Sequence, residues 1–226
     1  MKLDIKPYGD SALLVRPGEG SAWHTVQSLA DALDASGVTG LCDLVATYDS
    51  LLVAFDCVRT GHHELANRIR CLADTLENPD VPRVFQRFEI PVGYGGEHGP
   101  DLADVAGELG LSEDEVARLH SGAEWVVRFL GAPAGAPMLD GSPFPGRVSR
   151  RSRPRTTVPA GSVAVSGTQA VIYPVVSPGG WRLIGRTPLR LVDPARDPMT
   201  PYRPGDRFRF VPIPAAGWPD ASGRPR

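Results

Sequence analysis

The stretch Arg155-Thr-Thr-Val-Pro-Ala-Gly-Ser-Val-Ala-Val-Ser-Gly-Thr-Gln-Ala-Val-Ile-Tyr-Pro-Val-Val-Ser-Pro-Gly-Gly-Trp-Arg-Leu-Ile-Gly-Arg-Thr187 decides the fold. Its β-prone runs are Ser162 to Val165, Ala170 to Tyr173 and Trp181 to Ile184. Between them lie Pro159-Ala160-Gly161, Ser166-Gly167 and Ser177-Pro178-Gly179-Gly180. Glycine permits positive φ and close backbone approach, while proline fixes φ and removes a donor. Short strands joined by such dictated turns predict a small barrel or sandwich. Gln169, Tyr173, Ser177, Arg186 and Thr187 are polar residues at or near the strand ends. Loops on a rigid sheet commonly carry binding residues. Rim polars satisfied by backbone have the same spacing, so the pattern alone leaves both readings open.

Composition narrows the class. The chain has 226 residues, 42% of them hydrophobic, and a formal net charge of −2. That is one large domain or two small ones. No run approaches the ~18 apolar residues of a spanning helix. The charged start, Met1-Lys2-Leu3-Asp4-Ile5-Lys6, lacks the apolar core of a signal peptide. The expectation is a cytoplasmic protein with no membrane partner. Cys42, Cys57 and Cys71 show no zinc-site spacing and read as buried or half-buried small hydrophobes; no metal site is predicted. Arg147-Val-Ser-Arg150-Arg151-Ser-Arg153-Pro-Arg155 is the one basic block. It is a solvated loop or a phosphate- or carboxylate-binding one. It has no interleaved aromatics for stacking bases, so nucleic acid is not an expected partner.

In order, the chain predicts strands over Lys2 to Lys6 and Ser11 to Val15, then a helix capped by Ser21. A hairpin follows over Leu41 to Thr47 and Ser50 to Phe55, then a helix capped by Thr60 and ended by Asn78-Pro79-Asp80. A strand over Val84 to Pro91 comes next. Helices between strand pairs describe a ferredoxin-like lobe. Gly95-Gly96-Glu97-His98-Gly99-Pro100-Asp101 lacks the Lys-Ser/Thr of a phosphate loop. Asp101 and Asp104 read as the start of a helix, and His98 as an exposed loop residue. Ser112-Glu113-Asp114-Glu115 is a capping box. His120, at the end of that helix, faces a dipole that raises an imidazole pKa. It is a C-capping residue or a cleft acid or base. Strands follow over Trp125 to Leu130, Leu189 to Val192 and Arg207 to Ile213, the last with Phe208 and Phe210 alternating.

The run Pro-Ala-Gly-Ser-Val, Ile-Tyr-Pro, Ser-Pro-Gly-Gly-Trp and Ile-Gly-Arg-Thr-Pro-Leu closely resembles the carboxyltransferase-domain family. That family includes allophanate hydrolase subunit 1, the kinase inhibitor KipI and the B-type component of bacterial ATP-dependent 5-oxoprolinase. The resemblance runs from Gly9-Asp10-Ser11-Ala12-Leu13 to Phe210-Val211-Pro212-Ile213. It implies an α+β chain, with a ferredoxin-like lobe over 1–92, a cyclophilin-like β-barrel lobe over 93–213, and a mobile tail over 214–226. It also implies two partners, a homologous C-type carboxyltransferase subunit and an A-type (LamB/YcsF-like) subunit. Their joint reaction opens 5-oxo-L-proline, a small cyclic amide, to glutamate with ATP and Mg. The family's other branches are KipI-like inhibition of a histidine kinase and urea carboxylase-type carboxyl transfer. Any biotin is expected on another chain, not on this one.

Under the resemblance, Arg155 and Arg186 hold phosphate or carboxylate, and Gln169 and Tyr173 bind the ring amide. His120, at a position where the family typically has histidine, moves a proton. Gly179 and Gly180 offer backbone N–H groups, and Ser177 and Thr187 complete the substrate- or nucleotide-binding set. One loop departs from the family. Ala132, Ala136 and Met138 stand where aromatics are usual, and Ala134 where proline is. Each aromatic buries ~150–250 Å², so the losses imply a wider pocket or a looser lid.

Overall fold

The computed structural model describes residues 2–18, 23–76, 84–214 and Trp218. The chain divides into two compact units, Met1–Val84 and Phe85–Arg226. Ser21 and Asn78-Pro79-Asp80 lie outside the described residues, as does the 214–226 tail apart from Pro214 and Trp218.

The first unit runs β1 (Leu3–Pro7), β2 (Ala12–Pro17), α1 (Trp23–Ala35), β3 (Leu41–Ala46), β4 (Leu51–Phe55) and α2 (His62–Thr75). Its antiparallel sheet has the order β1-β2-β4-β3. Period-2 alternation sends Leu13 and Val15 of β2, and Leu51, Val53 and Phe55 of β4, into a core with Val26, Leu29, Leu33, Leu65 and Ile69 of the helices. Leu14, between two buried neighbours, is only half-buried, so the helices cover one sheet face rather than two. Gly61, not Thr60, occupies the N-cap of α2. The cysteines are exposed, contrary to the usual burial of the free thiol.

The strand predicted to complete a ferredoxin-like order belongs elsewhere. β5 (Arg87–Tyr94) pairs with two strands of the second unit, Arg182–Arg186 and Arg207–Pro212, so the division falls at Val84 and not at residue 92. The second unit adds α3 (Leu102–Leu109), α4 (Glu113–Gly122), β6 (Glu124–Gly131), β7 (Ala136–Asp140), β8 (Arg155–Val158), β9 (Ser162–Ser166), β10 (Gln169–Ile172), β11 (Ser177–Gly179), β12 (Arg182–Arg186) and β13 (Arg207–Pro212). Seven strands close a barrel in the order β10-β7-β6-β13-β5-β12-β9, and β9 pairs with β10 to seal it. β8 and β11 form a separate antiparallel pair.

The barrel wall has apolar residues on both faces. Trp125, Val127, Leu139, Ala170, Ile172, Ile184, Phe208 and Phe210 fill one cluster. Their strand neighbours Ala136, Ala164, Val171, Tyr173 and Leu183 form a second cluster with Val158 of β8. Successive side chains on a strand point to opposite faces, so the first cluster is the barrel interior and the second its outer cover under β8. Leu189 to Val192 forms no strand. Leu191 and Val192 are buried, but a closed barrel leaves no edge for them to pair with. Conversely, Ala136-Pro137-Met138 and Ser177-Pro178-Gly179, which read as loop and turn, lie in β7 and β11.

Candidate functional site

The site begins with Asp101, at the N-cap position of α3. Its side chain makes no cap bond there. Instead this 1% exposed carboxylate gathers the basic loop. Arg155 donates from Nη1 to Oδ2 at 2.8 Å and from Nη2 to Oδ1 at 2.9 Å. Arg151 Nη1 donates to Oδ1 at 2.7 Å, and the Leu183 N–H to Oδ2 at 2.8 Å. Burial by itself would raise this carboxyl. The Arg155 and Leu183 hydrogen bonds, with the charges of Arg155 and Arg151, reverse that and hold it below the usual carboxylate range. Further along α3, Asp104 accepts from Arg182 Nη1 at 2.7 Å. Glu108 accepts from the Ser149 N–H at 2.8 Å and its Oγ at 2.9 Å. One short helix thus fixes the basic loop.

That loop lies against the β8–β11 pair. Gly179 pairs with Arg155, and the Arg151 N–H donates to the Gly180 carbonyl at 2.9 Å. Tyr173, 6% exposed, extends β10 toward the same place. A Cβ at Gly179 would collide with the Tyr173 hydroxyl, so glycine here is a steric requirement. Burial pushes the Tyr173 phenol up, against the lowering influence of the Trp181 backbone N–H and of the charges of Arg150 and Arg155. Arg150 is exposed, and its guanidinium lies beside Gly180 and Pro154. Arg155, Tyr173, Gly179 and Gly180 therefore meet at one place. Ser177 lies on the same hairpin, its buried Oγ without a hydrogen-bond partner among the described residues.

The other predicted residues lie apart. Gln169 shares a strand face with Val171 and Tyr173, but its Nε2 donates to Asp140 Oδ1 at 3.4 Å, beside an Arg128–Asp140 ion pair at 3.2 Å. Arg186 Nε donates to the Ala160 carbonyl at 2.8 Å, and its guanidinium lies 5.8 Å from the Trp218 ring centroid. Trp218 stacks on His98 at 4.0 Å, so this residue of the predicted mobile tail is packed. Thr187, buried, donates its N–H to the Gly161 carbonyl at 2.8 Å.

His120 corrects the sequence reading. It is 0% exposed, inside a cage of Trp125, Phe144, Phe210 and Tyr94, with the Phe210 centroid at 4.3 Å. Nδ1 shares a 2.7 Å hydrogen bond with the Tyr94 hydroxyl, and Nε2 has no partner among the described residues. Desolvation outweighs the helix dipole and lowers the pKa to about 3. His120 belongs with the interior aromatics, while Tyr173 belongs to the outer cluster of the barrel wall. It is a neutral core histidine and not the acid or base of a cleft shared with Tyr173. Ala136 and Met138 line that outer cluster, Ala136 fully buried and Met138 partly, whereas Ala132 is exposed. At Ala136 the missing ring leaves a packed wall.

The sequence reading missed Asp101 as an anchor and Arg150 as distinct from its neighbours. Only the basic run itself signalled them.

The sequence that builds this barrel and its basic hairpin matches a known family over most of its length. Carboxyltransferase domain, subdomain C and D, aligns with residues 3–202, and the chain belongs to that family. Among its relatives, the B-type subunit of 5-oxoprolinase from Bacillus subtilis (strain 168) is 37% identical over 227 residues, covering 94% of both chains. The B-type subunit of 5-oxoprolinase from Escherichia coli O157:H7 is 56% identical over 125 residues, which are 55% of this chain and 57% of that protein. The crystal structure of TTHA0988 superposes with a TM-score of 0.76 at 36% identity, over 92% of this chain and 41% of that one.

Proposed function

We propose that this chain is the B-type subunit of a 5-oxoprolinase. With a homologous C-type subunit and an A-type subunit, it converts 5-oxo-L-proline, ATP and water to L-glutamate, ADP and phosphate. The observation that carries the reading is the end-to-end match to the Bacillus subtilis protein, 94% of each chain at 37% identity. The closed barrel is read as the family's cyclophilin-like lobe.

The chemistry suits the site. An unstrained lactam resists hydrolysis, and ATP makes its oxygen a leaving group. Such transfer is accelerated mainly by positioned charge and N–H donors where negative charge develops. The Arg151–Arg155 pair is held by a buried carboxylate, and Tyr173 and the Gly179-Gly180 backbone stand beside it. Among the described residues no three His, Cys, Asp or Glu side chains gather into a metal cluster. Magnesium that enters with ATP takes much of its coordination from phosphate oxygens and water. This chain would then contribute cationic charge and backbone donors, with Asp101 already committed to its arginines. No described helix is long and apolar enough to cross a membrane.

The test is ATP-dependent glutamate formation by the co-purified subunits, with this chain omitted as control. Activity that needs this chain is the expected result. Undiminished activity without it would overturn the reading in favour of a role such as kinase inhibition.

A further inference from the structure

Two arginines of the basic loop, Arg151 and Arg155, are committed to Asp101, and Arg182 beside the loop to Asp104. The side chains of Arg147, Arg150 and Arg153 make no hydrogen bond or ion pair among the described residues, and of these three Arg150 is the one that acts on Tyr173. Glu108, the remaining acid of α3 that touches this loop, is spent on Ser149. Arg150 is exposed and makes no hydrogen bond or ion pair with the described residues. It lies close enough to Tyr173 to act on its phenol electrostatically. Its guanidinium also rests by Gly180, where a side chain would meet it.

The Tyr173 hydroxyl makes no hydrogen bond among the described residues, although the Trp181 backbone N–H lies near enough to act on its phenol. A buried phenol normally completes its hydrogen bonding. Here an unspent O–H donor and an unspent guanidinium stand at one glycine edge, and no uncommitted carboxylate of α3 faces them. Two donors, one of them cationic and fork-shaped, complement an oxyanion.

Resting on the 5-oxoprolinase reading, we infer that Arg150 and Tyr173 bind the carboxylate of 5-oxo-L-proline. Asp101 keeps the neighbouring arginines from taking the same anion. A carboxylate suits this pair because one fork and one hydroxyl offer few donors, whereas a triphosphate is usually held by a longer series of backbone and cationic groups.

The experiment is steady-state kinetics of the complete complex carrying Arg150→Ala, Arg150→Lys or Tyr173→Phe. Arg150→Ala should raise KM for 5-oxoproline about ten-fold, the order of one lost charge-assisted hydrogen bond. The kcat and the KM for ATP should stay near wild type. Arg150→Lys should recover part of the loss, and Tyr173→Phe should raise the same KM more modestly. An active complex whose Arg150→Ala variant keeps the wild-type KM for 5-oxoproline would refute the carboxylate assignment alone. A shift confined to the KM for ATP would reassign the pair to phosphate. A wild-type complex that makes no glutamate would refute the functional reading, and this inference with it.

Discussion

Acidification should expose His120 before it touches any other feature of the barrel. The imidazole is fully buried and its pKa is lowered to about 3 by desolvation. In the unfolded chain it titrates near 6.5. Above that value neither state carries the proton and the histidine costs nothing. As pH falls through 6.5 toward 3, the unfolded chain binds a proton that the folded one refuses, and stability is lost. Between about pH 7.5 and pH 5 the loss is roughly 1.36 × 1.5, or about 2 kcal/mol. That figure needs only a folded pKa well below 5. Protonation cannot be absorbed locally, because Nε2 already lacks a partner among the described residues and aromatic rings pack around it. The assay is urea unfolding of wild type and His120→Gln at both pH values. Glutamine can still reach the Tyr94 hydroxyl but does not titrate. The wild type should lose about 2 kcal/mol more than the variant over this interval. Parallel losses would show that His120 is solvated or charged in the folded protein, and would return it to the list of candidate acids.

Asp101→Asn should destabilise the protein by roughly 3 kcal/mol at neutral pH, read by denaturant unfolding, because it strands two arginines around a neutral amide. In the wild type the contribution of Asp101 is present above the unfolded carboxyl pKa near 3.9. It is lost as pH falls below that value through the depressed folded one, so an Asp101→Asn variant should show a flatter acid limb there. Gly179→Ala should lower the melting temperature, since its methyl group meets the Tyr173 hydroxyl; Tyr173→Phe in the same chain should restore part of the loss. Ser112→Ala removes the hydroxyl half of the α4 capping box, leaving the residue-112 N–H on the Glu115 carboxylate, and should cost about 1 kcal/mol in unfolding while leaving complex activity intact.

Local signals were legible in the sequence where the physics is local. The capping box at Ser112 and Glu115 forms as its spacing requires. Phe208 and Phe210 alternate into the barrel, as a period of 2 dictates. The turns at Gly161 and Gly167 take the positive φ that glycine allows. Two short strands escaped because Pro137 and Pro178 punctuate them like loops, although both can sit where no ladder donor is needed. The site was half legible. The glycine-rich hairpin and Tyr173 declared themselves, since the turn chemistry and the polar residues are adjacent in sequence. Asp101 did not, because its partners lie 50 and 54 residues away and its place before α3 mimics a cap. His120 misled for the same reason. The helix dipole is a local property, whereas the desolvation that overrides it comes from Trp125, Phe144 and Phe210, brought together only by barrel closure.

The most direct measurement of the central claim is glutamate released from 5-oxo-L-proline per ATP consumed, as this chain is titrated into a fixed amount of the C-type and A-type subunits. The account predicts a rise from background to a plateau, with product formation and ATP consumption increasing together. A flat trace at background, or full activity before any of this chain is added, would contradict it.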